Sequence, residues 1–280
     1  MTLRRLGRVV GVIIVCVAVA LAGQSAASAT PPHGATYYVA LGDSLSQGFM
    51  PTTGVSNEGY VDRLYARLHQ SQPQLQLVKL GCPGETTTTM RDGGICSYAG
   101  ASSQLDSAVA FLRTHRGSVK YVTIDIGAND IDPCAASGAI DQTCVQKSLA
   151  TIGQNLLAIL VSLRLAGGLG PQYAGMTYYD PVLAAWLLGP AGQAVARQSV
   201  QVANTFNGLE TFEYEIFGMK VADVSGAFHT NDFTVVPFDS GTVPLNVATI
   251  CALTFMCTLH DIHPNVQGYD VIASAFEAVI

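Results

Sequence analysis

The chain reads YYVALGDSLSQG from Tyr37 to Gly48, an apolar run that stops at a glycine and is followed by an aspartate and a serine. The run is short, holds aromatic and β-branched residues and carries no charge before Asp43, which is typical of a strand buried in a parallel sheet. Ser44 would then lie at the carboxyl end of that strand, where ligands bind in open α/β sheets. Because Gly, Asp and Ser are also common in ordinary turns, this stretch alone does not identify a nucleophile.

Four further candidate strands alternate with helical patterns along the chain, and in the first of them apolar and polar residues alternate only in part. The sequence predicts these strands at Leu75–Leu80, Tyr121–Ile126, Ala174–Tyr179 and Lys220–Val224. Hydrophobic residues at helical spacing predict helices around residues 61–68, 105–112, 145–163 and 202–216, and a closing helix at 268–279. Alternating strands and helices favour an α/β fold with one doubly wound, five-stranded parallel sheet covered on both faces. Asp125, inside the third predicted strand, is expected to be a buried, hydrogen-bonded carboxylate.

The first 29 residues have the pattern of a signal peptide. Three arginines precede an apolar run over residues 9–22, and small residues follow at 27–29. The apolar run has 14 residues, fewer than the roughly 20 that a membrane-spanning helix needs. We therefore predict that residues 1–29, which include Cys16, are removed near Ala29. Residues 30–280 would form one secreted domain without a stable membrane anchor.

The charge balance argues against one class of partner. Formal net charge is −6 for the whole chain and −9 once the three arginines of the N-terminal segment are removed. An acidic chain without a basic patch does not neutralise phosphates. We therefore expect no nucleic-acid partner.

Six cysteines remain after residue 29, an even number, which favours disulfides in an exported chain. About 15 connectivities are possible for six cysteines. Their positions form three local pairs, each within a predicted loop. We therefore favour the pairs 82–96, 134–144 and 251–257, that is Cys82 with Cys96, Cys134 with Cys144, and Cys251 with Cys257.

Candidate site residues follow three of the predicted strands. Ser44 comes after the first, Gly84 after the second and Asn129 after the third, so a parallel sheet brings all three to one edge. His263 precedes the closing helix and could return to the same edge. Taken singly, each has an ordinary structural reading, as a turn glycine, a turn asparagine or a loop histidine.

Together these residues supply the parts that acyl transfer needs. Ser44 would attack an ester carbonyl, and His263 would accept its proton. The oxyanion would be held by the backbone N–H groups of Ser44 and Gly84 and by the side-chain amide of Asn129. A glycine allows close approach of backbone to substrate, and an amide donates without carrying a charge.

The four blocks GDSL at 42–45, GCPGET at 81–86, IGAND at 126–130 and DIHP at 261–264 resemble, in order, those of the SGNH or GDSL hydrolases. The sequences GMTYYDP at 175–181 and PLNV at 244–247, with the last two cysteines, are similar to the secreted actinobacterial branch of that family. The resemblance covers nearly all of residues 30–280. It implies an esterase or lipase with a flavodoxin-like sheet, three local disulfides and no cofactor or metal, and we expect a monomer.

The last block departs from the family pattern. An aspartate usually stands three residues before the histidine, but here His260 holds that position and Asp261 comes one residue later. We expect a Ser44–His263 dyad in which the main-chain carbonyl of His260 orients the ring, since a neutral acceptor can also fix the tautomer. Asp261 remains the alternative orienting group if the segment is extended.

Other functions are less compatible with the sequence. No Gly-x-Ser-x-Gly motif of an α/β-hydrolase is present. A metal hydrolase could use His260, Asp261 and His263, but it would leave Ser44 unexplained. A binding protein on an inactive hydrolase scaffold is a third alternative.

The sequence does not determine which carboxylic ester is the substrate. Short-chain esters and lipids are favoured, and acetylated polysaccharide is the alternative. Phe49, Met50, Tyr178 and Tyr179 are candidates to line an acyl pocket.

Overall fold

A parallel sheet of five strands forms the centre of the fold. The computed structural model describes residues 34–135 and 138–280, so the predicted signal peptide and Cys16 lie outside the described residues. The strands are β1 (Thr36–Gly42), β2 (Leu75–Lys79), β3 (Val119–Asp125), β4 (Gln172–Met176) and β5 (Lys220–Ala222). They pair in parallel in the order β2-β1-β3-β4-β5. The predicted doubly wound α/β fold is confirmed, although β4 and β5 end earlier than expected.

Helices connect the strands and cover both faces of the sheet. They are α1 (Tyr60–Ser71), α2 (Thr87–Asp92), α3 (Gln104–Thr114), α4 (Ala128–Ile131), α5 (Gln142–Gly167), α6 (Pro190–Ile216), α7 (Val224–Ala227), α8 (Leu245–Leu253), α9 (Met256–Leu259) and α10 (Val266–Glu277). Two 3₁₀ helices, Asp132–Ala135 and Pro181–Leu188, and an antiparallel hairpin of β6 (Val235–Phe238) and β7 (Gly241–Pro244) complete the described residues.

Alternate residues of β1 enter two separate cores. Tyr38 and Ala40 pack on one face of the sheet, together with residues of α1 and α10. Val39 and Leu41 pack on the other, together with residues of α3 and α5. Within the described part of the chain, α5 is the one helix long and apolar enough to cross a membrane. Its buried face contacts the sheet, as expected of a core helix.

The structure contains the three predicted disulfides, Cys82–Cys96, Cys134–Cys144 and Cys251–Cys257. The first closes the loop after β2, and the second joins the 3₁₀ helix after α4 to the first turn of α5. The third joins α8 to α9, shortly before His263. Each disulfide therefore restrains a segment beside a predicted site residue.

Reduction of the disulfides is expected to lower the melting temperature. Each cross-link contributes about 2–4 kcal/mol by restricting the unfolded chain. Thermal unfolding with and without a phosphine reductant measures the change. Alkylation without reductant serves as the control and should leave the melting temperature unchanged. Peptide mapping that found free thiols, or cross-links between the three pairs, would contradict the pairing.

Candidate active site

The end of β1 is fixed before the chain reaches Ser44. Gly42 has a φ of +147°, and a Cβ at this position would overlap the buried carboxyl group of Asp125. The side-chain amide of Gln104, the first residue of α3, accepts a hydrogen bond from the N–H of Gly42 at 2.6 Å and donates one to its carbonyl at 2.9 Å. Only glycine fits here, and the buried glutamine holds the peptides on both sides of it.

Two buried aspartates hold the turn that carries the serine. Asp43 accepts hydrogen bonds from the N–H of Leu45 at 2.8 Å and from the hydroxyl of Tyr178 at 3.2 Å. Asp125 accepts from the N–H of Asp43 at 3.2 Å and from the hydroxyl of Tyr60 at 2.5 Å. Burial raises the pKa of both carboxyl groups, and the charge of Asp43 raises the pKa of Asp125 further. The expectation that Asp125 is a buried, hydrogen-bonded carboxyl group is confirmed.

The Ser44 hydroxyl and the His263 ring lie within hydrogen-bonding distance. Their Oγ and Nε2 atoms are 2.8 Å apart, although 219 residues separate them in the chain. Nδ1 of the same ring lies 2.7 Å from Oδ1 of Asp261. Serine, histidine and aspartate thus form a continuous hydrogen-bonded series.

The expected contact between His263 and the main-chain carbonyl of His260 is not formed. His260 adopts a left-handed conformation, with φ 54° and ψ 37°, at the end of α9. Asp261 then accepts hydrogen bonds at one oxygen from both the N–H of His263, at 3.0 Å, and its Nδ1. An aspartate that bonds to the backbone two residues on makes an Asx turn. Such a turn, and not an extended segment, brings this carboxylate to the ring.

Asn129 and Gly84 lie on the loops predicted to carry them. Asn129 is in the first turn of α4, and its Nδ2 donates to the carbonyl of Glu85 at 3.0 Å. Gly84 is exposed, with a φ of +81° and open space beside its Cα. Ser44, Asn129 and His263 line one cavity, whereas Gly84 is not part of the cavity wall.

Further contacts between these loops could not be read from the sequence. Asp130 accepts hydrogen bonds from the N–H of Thr87 at 2.8 Å and from its hydroxyl at 2.7 Å. Gln104 donates to the side chain of Glu85 at 2.8 Å. The position of Asp130 directly after Asn129 was the one available signal. The bonds of Asp130 hold the loop after β2 against the loop after β3, and the bond of Gln104 holds it against α3.

Mainly apolar side chains line the cavity beside Ser44. It is bounded by Leu45, Ile131, Ile140, Val145, Pro181, Val182, Val202, Ala203 and Phe206 and by the two predicted tyrosines, Tyr178 and Tyr179. Phe49 and Met50 were also candidates but lie outside the cavity wall. The ring of Phe49 instead packs on that of His263, with centroids 4.6 Å apart, and Met50 is buried in the core.

Two residues of the alternative metal site, Asp261 and His263, contact each other. Both ring nitrogens of His263 are engaged, one by Ser44 and one by Asp261. Across residues 34–135 and 138–280, no group of three or more histidine, cysteine, aspartate or glutamate side chains is arranged to hold a metal ion.

Solved structures with the same fold come from bacterial lipases and esterases. Phospholipase A1 from Streptomyces albidoflavus is 14% identical, with a TM-score of 0.55 over 88% of this chain and 100% of that chain. An extracellular lipase from Streptomyces rimosus is 18% identical, with a TM-score of 0.56 over 88% and 100%. An acetyl xylan esterase from Geobacillus stearothermophilus is 14% identical, with a TM-score of 0.51 over 87% and 93%. These likenesses show the fold alone.

A sequence profile gives the family assignment. No curated protein matched the chain. The profile of the GDSL-like lipase/acylhydrolase family matches residues 40–271, a span that begins in β1 and ends in α10 and so includes the turn with Ser44 and the segment with His263. The chain therefore belongs to the GDSL-like lipase/acylhydrolase family.

Proposed function

We propose that this protein is a secreted serine esterase or lipase that hydrolyses carboxylic esters through an acyl-enzyme on Ser44. The observation that carries the proposal is the series from Ser44 through His263 to Asp261, with contacts of 2.8 and 2.7 Å. In this arrangement the serine has a general base, and the base has a carboxylate that sets its tautomer. Membership of a lipase/acylhydrolase family supports the same chemistry.

In the first half-reaction, Oγ of Ser44 attacks the ester carbonyl carbon while Nε2 of His263 takes the hydroxyl proton. The carboxylate of Asp261 stabilises the imidazolium that results. The backbone N–H groups of Ser44 and Gly84 and the amide of Asn129 donate to the oxyanion. His263 returns the proton to the leaving alcohol, and the acyl group stays on Ser44.

In the second half-reaction, water attacks the acyl-enzyme. His263 takes a proton from that water, the second tetrahedral oxyanion is held by the same donors, and the proton passes to Oγ as the ester bond breaks. The carboxylic acid leaves and free Ser44 is restored. The chemistry uses no cofactor and no metal.

The cavity beside Ser44 supports substrates with an apolar part. Its wall is mainly aliphatic and aromatic, which suits short-chain to lipid esters better than the polar surface of an acetylated polysaccharide. We place the enzyme outside the cell, after cleavage near Ala29, as a monomer without nucleic-acid partner or membrane anchor. The three disulfides are compatible with that compartment.

Hydrolysis of a series of nitrophenyl esters from acetyl to palmitoyl, together with acetyl-xylan, tests the proposal. The expected result is turnover with a maximum at acyl chains longer than acetyl. A preference for acetyl-xylan would replace the lipid assignment by the polysaccharide one. A folded protein that hydrolysed none of these esters would be a non-catalytic binding protein instead. Amino-terminal sequencing of the exported chain tests the cleavage site.

Asn129→Ala is expected to lower kcat by about 10²- to 10³-fold with little change in KM, as loss of one oxyanion donor does. The amide would act on the oxyanion of the transition state more than on the bound ester. Steady-state kinetics over the full ester concentration range separate the two parameters.

The control for Asn129→Ala is Asn204→Ala, which removes an exposed amide of α6. It should leave both kinetic parameters near those of the wild type. Because Asn129 also bonds to Glu85, thermal unfolding of each variant shows whether the loop is still folded. A rise in KM at constant kcat would remove Asn129 from the oxyanion hole.

A further inference from the structure

One carboxyl group in the cavity has no role in the mechanism above. Asp132 begins the 3₁₀ helix that follows α4, and its side chain lines the cavity together with Ser44 and His263. Over the described ranges 34–135 and 138–280, this carboxyl group has no hydrogen-bond or ion-pair partner.

The other carboxyl groups at the cavity differ from Asp132 because each of them accepts hydrogen bonds from protein groups. Asp180 accepts hydrogen bonds from the hydroxyl of Ser199 at 2.6 Å and from the N–H of Val182 at 2.9 Å. Asp43 is bonded to Leu45 and Tyr178, as described above. Of the three carboxyl groups that line the described cavity, Asp132 alone is open to a ligand.

The surroundings of Asp132 favour a positively charged ligand. Among the described residues of the cavity wall there is no lysine or arginine. Asp132 is part-buried, and a carboxylate partly withdrawn from water is stabilised when a cation or hydrogen-bond donor meets it. Tyr178, Tyr179 and Phe206 line the same cavity, and aromatic rings attract cations, quaternary ammonium groups above all. The net negative charge of the chain also draws cations towards it.

We propose that Asp132 is a specificity-determining residue that selects esters carrying an alkylammonium group, such as a trimethylammonium, in the acyl or the alcohol part. This assignment rests on the proposed function, because it names the substrate class of the same active site. The ammonium group lies against the Asp132 carboxylate and the aromatic side chains while the ester carbonyl lies at Ser44.

The selection should strengthen as pH rises. Burial, with the neighbouring charges of Asp43 and Asp180, raises the pKa of Asp132 to about 7. The carboxylate form, which attracts the cation, therefore grows between about pH 6 and pH 8. Asp43, Asp180, His263, Tyr178 and Tyr179 are the other titratable groups that line this cavity, and burial raises the pKa of both tyrosines above its usual value, so they stay neutral over this range. Protonation of His263 slows the hydrolysis of cationic and neutral esters alike. Its effect therefore cancels in the ratio of kcat/KM for the cationic ester to that for the neutral ester.

Two pairs of isosteric esters measure the selection. Butyrylcholine and neohexyl butyrate differ by nitrogen against carbon in the alcohol, and the nitrophenyl ester of γ-trimethylammoniobutyric acid and its all-carbon analogue differ likewise in the acyl part. In at least one pair, kcat/KM of the wild type should be about tenfold higher for the cationic ester, the size expected of a desolvated cation contact. The favoured pair identifies the part that enters the cavity. That ratio should increase from pH 6 to pH 8.

Asp132→Asn should lower the ratio towards one, since the amide keeps the shape but loses the charge, and any preference that remains is that of the aromatic rings. Asp239→Asn, at an exposed turn outside the cavity wall, should keep the wild-type ratio. A ratio of one in both pairs for the wild type, or a ratio that Asp132→Asn leaves unchanged, would overturn the assignment while the esterase proposal stands.

A binding measurement decides the inference independently of hydrolysis. Calorimetric titration with butyltrimethylammonium chloride should show saturable binding to the wild type that is about tenfold weaker in Asp132→Asn. If neither ester of any pair is hydrolysed, the nitrophenyl ester series decides whether the proposed function fails, and this titration still tests Asp132. Absence of binding, or equal binding by the two proteins, would show that the cavity does not select cations.

Discussion

Ser44→Ala is expected to reduce kcat for nitrophenyl ester hydrolysis by a factor on the order of 10⁶, the loss seen when a catalytic serine is removed. The reason is geometric: Ser44 Oγ lies 2.8 Å from Nε2 of His263, and no other hydroxyl bonds to that nitrogen within the described residues. Stopped assays at saturating ester, with the enzyme concentration raised to detect slow turnover, measure the residual rate.

Ser46→Ala is the matched control for the loss of Ser44. Ser46 lies in the same turn, is fully buried and donates to the carbonyl of Asp43 at 2.8 Å. Its removal should destabilise the fold by about 1–3 kcal/mol, as loss of a buried hydrogen-bond partner does, but it leaves the nucleophile in place. Labelling by a fluorophosphonate should occur in Ser46→Ala and not in Ser44→Ala. Retention of more than about a hundredth of the wild-type rate by folded Ser44→Ala would refute the role of Ser44.

Asp261→Asn is expected to lower kcat by about 10⁴-fold, because an amide in this place holds the ring in the wrong tautomer and cannot stabilise the imidazolium. The 2.7 Å contact between Asp261 Oδ1 and Nδ1 of His263 is the basis of the expectation. A dyad oriented by a main-chain carbonyl would instead lose less than about tenfold, since its acceptor would survive the substitution. Steady-state kinetics of the folded variant distinguish the two mechanisms.

His260→Asn is the control for Asp261→Asn. Asparagine tolerates the left-handed conformation found at residue 260, so the turn should persist and kcat should stay within about threefold of the wild type. A large loss in His260→Asn together with a small loss in Asp261→Asn would return the orienting role to residue 260.

The positions of β1 and β3 could be predicted because each is a short, mostly apolar run followed by polar residues or glycine, whereas β2 was predicted from partial alternation. The five predicted strands occur in the sheet, and the residues after β1, β2 and β3 follow from where those runs stop. The start of α6 at Pro190 does not follow from the apolar spacing, which begins at Val202. Pro190 after Gly189 was the available signal, because proline favours the first helical turn.

The cavity wall was harder to predict than the sheet edge. Tyr178 and Tyr179 line it, whereas Phe49 and Met50 do not. All four are large apolar residues near strand ends, and local sequence does not say which side of the turn each one faces. The sequence does not indicate that Asp132 lines the cavity either, because an aspartate before a proline is typical of an ordinary turn.

The sequence by itself determined the parallel α/β sheet and the local disulfide pairs, and it contained the residue types of the proposed acyl-transfer site. These depend on periodicity, spacing along the chain and the order of four short blocks. The tertiary structure decided whether the Asp261 carboxylate or the main-chain carbonyl of His260 meets Nδ1 of His263. Whether a side chain two or three residues upstream reaches Nδ1 depends on a left-handed residue and an Asx turn at 260–263. Contacts between distant segments, such as Gln104 with Gly42 and Asp132 with the cavity, likewise arise only when the loops pack together.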